Sequence, residues 1–145
     1  MTPERRMLAS CACHKIRMAA RAVTRAYDDA LRPAGLRATQ ASVLAAVAAE
    51  GALSIAALAR MLGMDRSTLT RNLAPLEKER LLARGGEGWR RSRTLSITAK
   101  GRARLEAALP LWEAAQKRLR RELGGAEPWA DVHKSLDHVL AKQSD

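Results

Sequence analysis

Two short amphipathic segments joined by a single tight break constrain this chain more than any other feature. From Ser54 to Leu62 the apolar residues Ile55, Leu58, Ala59 and Leu62 fall at spacings of three and four, and Gly63 stops the run. Asp65 then stands where a helix N-cap belongs, and Leu69, Leu73 and Leu76 form the buried stripe of a second helix reaching about Glu79. Pro75 lies inside that helix and removes one ladder hydrogen bond, which predicts a mild kink. From Leu81 the pattern changes. Leu82 to Arg84 and Arg93 to Ile97 are short β-like runs around Gly85, Gly86 and Gly88, which predicts a hairpin with a loose tip.

The flanking chain reads as longer helices. Leu8, Ala12, Ile16, Ala19, Val23, Ala26 and Ala30 mark one face of a helix from about Pro3 to Leu31, ended by Pro33 and Gly35. A helix follows from Thr39, as N-cap, to Glu50, with Gly51 as its stop. Beyond the hairpin, Thr98 caps a long helix through about Leu123, with an interruption expected at Pro110. After Gly124 and Gly125 a last helix runs from near Glu127 to Lys142. No repeat, low-complexity linker or clean boundary divides the chain, so residues 1–145 read as a single, mainly α domain.

Composition explains what holds such helices together. Apolar residues make up 47% of the chain, yet Phe is absent and aromatics are 3%. A core of alanine and leucine favours helix and close helix approach, and a partner subunit is expected to help bury it. Twenty-six Lys and Arg against fifteen Asp and Glu give +11 formally, which points to a polyanionic partner, either nucleic acid or an anionic membrane surface. The longest uncharged apolar stretch, Val43 to Ala49, is too short to span a bilayer, and the start resembles no targeting segment. A cytoplasmic protein without a membrane partner is expected. In that compartment Cys11 and Cys13 are not expected to form a permanent disulfide.

The order short helix, tight turn, helix, β-hairpin is the plan of a winged helix-turn-helix, whose second helix enters the DNA major groove. With Leu69, Leu73 and Leu76 turned to the core, Ser67, Arg71, Ala74 and Lys78 face outward and Thr70 lies at their margin. Arg66 and Thr68, near the helix start with Asp65, suit the cap and phosphates. Between Ala83 and Arg104 there are seven Lys or Arg and one acid, Glu87, with Arg90, Arg91 and Arg93 beside the glycine tip. That composition fits a wing reaching phosphates and the minor groove, or else a merely solvated basic hairpin.

Three stretches together resemble the MarR family of transcription regulators. LARMLGMDRSTLTRNLAPLEKERLLAR, from Leu58 to Arg84, is similar to the family's helix-turn-helix and the turn into its wing. RRSRTLSITAKG, from Arg90 to Gly101, is similar to the wing strand and the following helix, and GLRATQ, from Gly35 to Gln40, to the start of the family's second helix. The resemblance implies a homodimer on double-stranded DNA, held by terminal helices in residues 1–34 and 110–145 around a winged-helix core at 39–101. It further implies two reading heads on a pseudopalindromic operator, with half-sites about 10 bp apart. Ser67, Thr70 and Arg71 would contact bases, and Arg91 would be the minor-groove arginine of the wing. Two positions depart from the pattern: Trp89 replaces an Asp common near the wing tip, and Arg80 replaces a glycine common after the recognition helix.

The cysteines admit two readings. On one continuous helix Cys11 and Cys13 are about 200° apart, so they point to opposite sides and a disulfide would need unwinding. Both then serve as small interface hydrophobes. Alternatively, the spacing of Cys13 to Arg21 and Tyr27 resembles the peroxide-sensing branch of the family, with Lys15, Arg17 and His14 favouring a thiolate. Ala38 and Arg17 stand where that branch carries aromatics. Cys11 and His14 share the i,i+3 spacing of a chelate, but His133 and His138 are distant, so no metal site is assigned. A small anionic effector, common in the family, would have Arg21, Arg25 and Trp112 as candidate liners.

No cofactor is implied. Catalysis is not expected either, because His14 projects about 100° from Cys13 and no phosphate loop or paired carboxylates occur. The function expected is therefore an operator-specific regulator, more often a repressor in this family, released by a small molecule or an oxidant. The alternative is an architectural protein that coats DNA through charge alone.

Overall fold

The computed structural model describes residues 1–85 and 94–142. The tip glycines Gly86 and Gly88 and the candidates Arg90, Arg91 and Arg93 lie outside the described residues. The elements run α1 (Pro3–Ser10), α2 (Ala12–Leu31), a 3-10 turn (Arg32–Ala34), α3 (Ala38–Glu50), β1 (Leu53–Ser54), α4 (Ile55–Leu62), α5 (Arg66–Lys78), β2 (Leu82–Arg84), β3 (Thr94–Ile97), α6 (Ala99–Glu122) and α7 (Ala126–Lys142).

The helix-turn-helix assembles from local chemistry. Ser54 caps α4 by accepting the Ala57 N–H at 3.1 Å. Gly63 ends it in the left-handed region at φ 60°, with Gly63 and Met64 N–H groups returning to the carbonyls of Arg60 and Ala59. One residue later Asp65 caps α5. That helix closes the same way at Arg80, whose φ is 59°: Arg80 N–H bonds Glu77 and Leu81 N–H bonds Leu76, with both leucines buried.

Leu31, Leu44, Leu58, Leu69, Leu73, Leu76 and Leu95 fill a core between α3, α4, α5, the start of α6 and a three-stranded antiparallel sheet ordered β1-β3-β2. Leu53 pairs with Leu95, and Leu82 pairs with Ile97. Strand β1 has no counterpart in the sequence reading. Two residues are too few to show an alternation, and only the neighbouring β3 makes them a strand. At the base of the sheet Gly101 lets α6 approach β2 so closely that a Cβ there would fall 2.1 Å from the Leu81 carbonyl oxygen.

Four expectations need correction. The first helix is two helices, because Cys11 is extended at φ −71°, ψ 111°, ending α1 and starting α2. Neither proline nor glycine marks the break, although the Ser10 hydroxyl donates to the Arg6 carbonyl at 2.8 Å, a local bond that competes with helix continuation. The 200° relation between Cys11 and Cys13 on one helix therefore does not hold. Thr39 is not an N-cap: α3 begins at Ala38, whose N–H donates to Asp28 of α2 at 2.7 Å, while Gln40 accepts from the Arg37 N–H. Finally, α6 runs through Pro110 without interruption, with Ala108 and Ala115 buried on either side of it.

The terminal helices pack differently from the core. α1 and α7 bury no side chain, and α2 buries only Leu31. Met7, Ile16, Val132, Leu136 and Val139 remain exposed on them. The accessible surface is 10360 Å², whereas a compact monomer of this mass exposes about 7,300 Å².

Candidate nucleic-acid interface

The outward face of α5 is the candidate reading surface, and its first turn is set by the helix's own cap. Asp65 accepts the Thr68 N–H at 2.7 Å, the Thr68 hydroxyl at 2.9 Å and the Ser67 hydroxyl at 2.6 Å. These bonds, the Ser67 one foremost, together with the nearby Arg71 charge hold the Asp65 carboxyl well below the usual carboxylate range. The first turn is thus locked while its N–H end faces solvent, favourable for phosphate.

Leu69, Leu73 and Leu76 turn inward, so Arg66, Ser67, Thr70, Arg71, Ala74 and Lys78 are exposed together. Their spacing places Ser67, Thr70, Arg71 and Ala74 on one helical stripe. Thr68 is half-buried in the cap, as its position near the helix start suggested. Thr70 donates its hydroxyl proton to the Arg66 carbonyl at 2.7 Å. Arg71 is exposed, with one guanidinium nitrogen 3.4 Å from the Thr68 hydroxyl.

Two residues that the sequence reading did not single out position this helix. Asn72 accepts from the Thr39 hydroxyl of α3 at 3.2 Å and donates to the Thr68 carbonyl at 2.9 Å. Glu77 clasps Arg84 of β2 through two 3.0 Å bonds, tying α5 to the strand that leads into the hairpin. Such long-range partners leave no local spacing signal. The residues entering and leaving the hairpin are held too: the Gly85 N–H donates to the Thr94 carbonyl at 2.8 Å.

The other candidates are dispersed. Cys13 is exposed, Cys11 is half-buried, and both are free thiols. Tyr27 lies about 21 Å along α2 from Cys13, and its hydroxyl donates to Gln116 of α6. Trp112 lines a cleft of about 480 Å³ between α2, α3 and α6, whereas Arg25 lines a separate charged depression with Asp28, Asp29 and Arg32, and Arg21 lines neither. Among the described residues no group of three or more His, Cys, Asp or Glu is placed to hold a metal ion. No described helix is long and apolar enough to cross a membrane.

A capped recognition helix, a tight glycine turn before it and a strand pair after it define a winged helix-turn-helix DNA-binding protein. The MarR family model matches residues 34–92. The DNA-bound transcriptional regulator MosR of M. tuberculosis is 35% identical with a TM-score of 0.77, over 93% of this chain and 97% of that one. The transcriptional repressor CouR bound to a 23-mer DNA duplex is 26% identical, with a TM-score of 0.74 over 96% of each chain. CouR bound to p-coumaroyl-CoA is also 26% identical, with a TM-score of 0.77 over 95% of this chain and 94% of that one. No curated protein matches the chain. The chain belongs to the MarR family: it is a DNA-binding transcription regulator and not an enzyme.

Proposed function

We propose that this protein is an operator-specific repressor that binds a pseudopalindromic site as a homodimer and leaves it when a small molecule occupies the α2–α3–α6 cleft. The observation that carries the reading is the single exposed stripe of Ser67, Thr70 and Arg71 on a helix whose opposite face is fully buried. The hydroxyl protons of Ser67 and Thr70 go to Asp65 and Arg66, which leaves their oxygens as acceptors. Acceptors suit the amino groups of adenine and cytosine, while Arg71 suits guanine. Arg66 and Lys78 flank the stripe toward the phosphates, and Arg90, Arg91 and Arg93 are assigned to the wing from sequence.

The dimer is supported by the unburied apolar faces of α1 and α7 and by about 3,000 Å² of surface beyond that of a compact monomer. Release by a small molecule is supported by the cleft and by the p-coumaroyl-CoA complex of CouR. An oxidant signal through Cys13 finds no such support, since within one chain the Tyr27 hydroxyl is engaged by Gln116.

Selection from random duplexes, followed by binding across a salt series, tests the function. The expected result is one pseudopalindrome preferred by roughly a thousandfold or more, with the preference surviving moderate salt. Arg71→Ala should abolish that preference, whereas Arg91→Ala should weaken binding evenly across sequences. A steep salt dependence with no selected site would instead identify a coating protein.

A further inference from the structure

We propose that the cleft between α2, α3 and α6 takes an uncharged aromatic ligand of one or two rings and rejects the corresponding carboxylate. The proposal rests on the reading of this cleft as the effector site and fixes the ligand's chemistry. The cleft encloses about 480 Å³, within the range of small-molecule pockets. Its walls come from Val23, Tyr27 and Leu31 of α2, small residues of α3, and Leu109 and Trp112 of α6. Among the described residues no lysine, arginine or histidine lines it.

The two arginines of α2 offered as partners for an acid are not among the residues that line the cleft. Arg25 lies about 130° around the helix from the middle of the Thr24–Tyr27–Leu31 side, and Arg21 borders that side about 60° from Thr24 without lining the cleft. Arg25 instead faces the depression that holds Asp28, Asp29 and Arg32, where Arg32 is already paired with Asp29. A carboxylate entering the apolar cleft would lose hydration without gaining a cation. The polar groups present are the hydroxyls of Thr24, Ser42 and Tyr27; Ser42 and Tyr27 give their protons to the Ala38 carbonyl and to Gln116, so their oxygens are left to accept from a phenol or an amide N–H. Burial pushes the Tyr27 phenol up, the response of a wall that hosts charge poorly. Trp112 and Tyr27 supply ring faces for an aromatic guest.

Occupancy has a route to the DNA face. Ala38, Ala41, Ser42 and Ala45 of α3 line the cleft, and Thr39 of the same helix holds Asn72 of α5. A guest that displaces α3 therefore acts on the helix that carries Arg71.

Calorimetric titration of the full-length protein with naphthol and with naphthoate at neutral pH tests the proposal. Naphthol should bind roughly tenfold tighter than naphthoate or better. Ala45→Met, which fills the cleft from an exposed position, should weaken naphthol by a similar factor while its thermal melt verifies folding. The ratio in the unaltered protein decides the charge question without any variant. Tighter binding of naphthoate would overturn the proposal and leave the effector site standing. Binding of neither would overturn both, as expected if a second copy of the chain covers the cleft.

Discussion

Thr39 on α3 donates its hydroxyl to the side-chain oxygen of Asn72 on α5 across 3.2 Å, and Asn72 passes the contact on to the Thr68 carbonyl. This pair joins the cleft wall to the recognition helix. Thr39→Val keeps the shape and removes the donor, leaving the half-buried amide oxygen unpartnered. It should cost about 1 kcal/mol in denaturant melts. Discrimination between selected and random duplexes should fall severalfold, with non-specific binding unchanged. A variant as stable and as selective as its parent would show that the bond transmits nothing.

The cap of α5 makes a pH prediction. Folding holds the Asp65 carboxyl below its ordinary value, through the bonds from Ser67 and Thr68 and the Arg71 charge. The stability this provides is complete above the unfolded-state value of about 3.9. It drains away as the pH falls below that value toward the lowered folded one. Asp65→Asn retains an acceptor for the cap but has no charge to lose, so its acid melting curve should be flatter below about pH 4. Parallel curves for the two proteins would exclude Asp65 as a contributor.

Arg80 and Gly101 should respond in opposite senses to exchange between side chain and glycine. Arg80 holds a left-handed φ of 59°, so Arg80→Gly should relieve strain and raise stability by about 0.5–1 kcal/mol. Gly101→Ala drives a methyl group into the Leu81 carbonyl oxygen, which is backbone and cannot swing aside. A loss of about 2–3 kcal/mol is expected despite alanine's better helix propensity. Urea unfolding of both variants checks the pair. A stabilised Gly101→Ala would mean that α6 sits farther from β2.

The proposed homodimer makes its own prediction. Val132, Leu136 and Val139 lie exposed on α7 at spacings of four and three, an apolar stripe without a cover in the isolated chain. Leu136→Glu should shift the protein from dimer to monomer in sedimentation and weaken operator binding by roughly a hundredfold or more, because two linked heads bind far more tightly than one. An unchanged sedimentation coefficient would remove α7 from the interface.

Much of this protein was determined by its sequence alone. Spacings of three and four among Ile55, Leu58, Leu69, Leu73 and Leu76 dictate two helices and their buried sides, because a helix repeats every 3.6 residues. Gly63 and Asp65 dictate the turn between them, since one permits a left-handed end and the other supplies a cap. Once the buried side is known, the exposure of Ser67, Thr70 and Arg71 follows. What the tertiary structure decided lacks any local period. The strand at Leu53–Ser54 exists only through β3, α3 starts where Asp28 receives its first N–H, and Asn72 matters only because Thr39 is brought beside it. The cleft belongs to the same class: the sequence offers Trp112, Arg21 and Arg25 together as candidate liners, but only the packing of α2 on α6 separates Trp112, which lines the wall, from the two arginines, which do not. Local rules fix which way a side chain leaves its own helix; which groups it meets depends on elements far away in the chain.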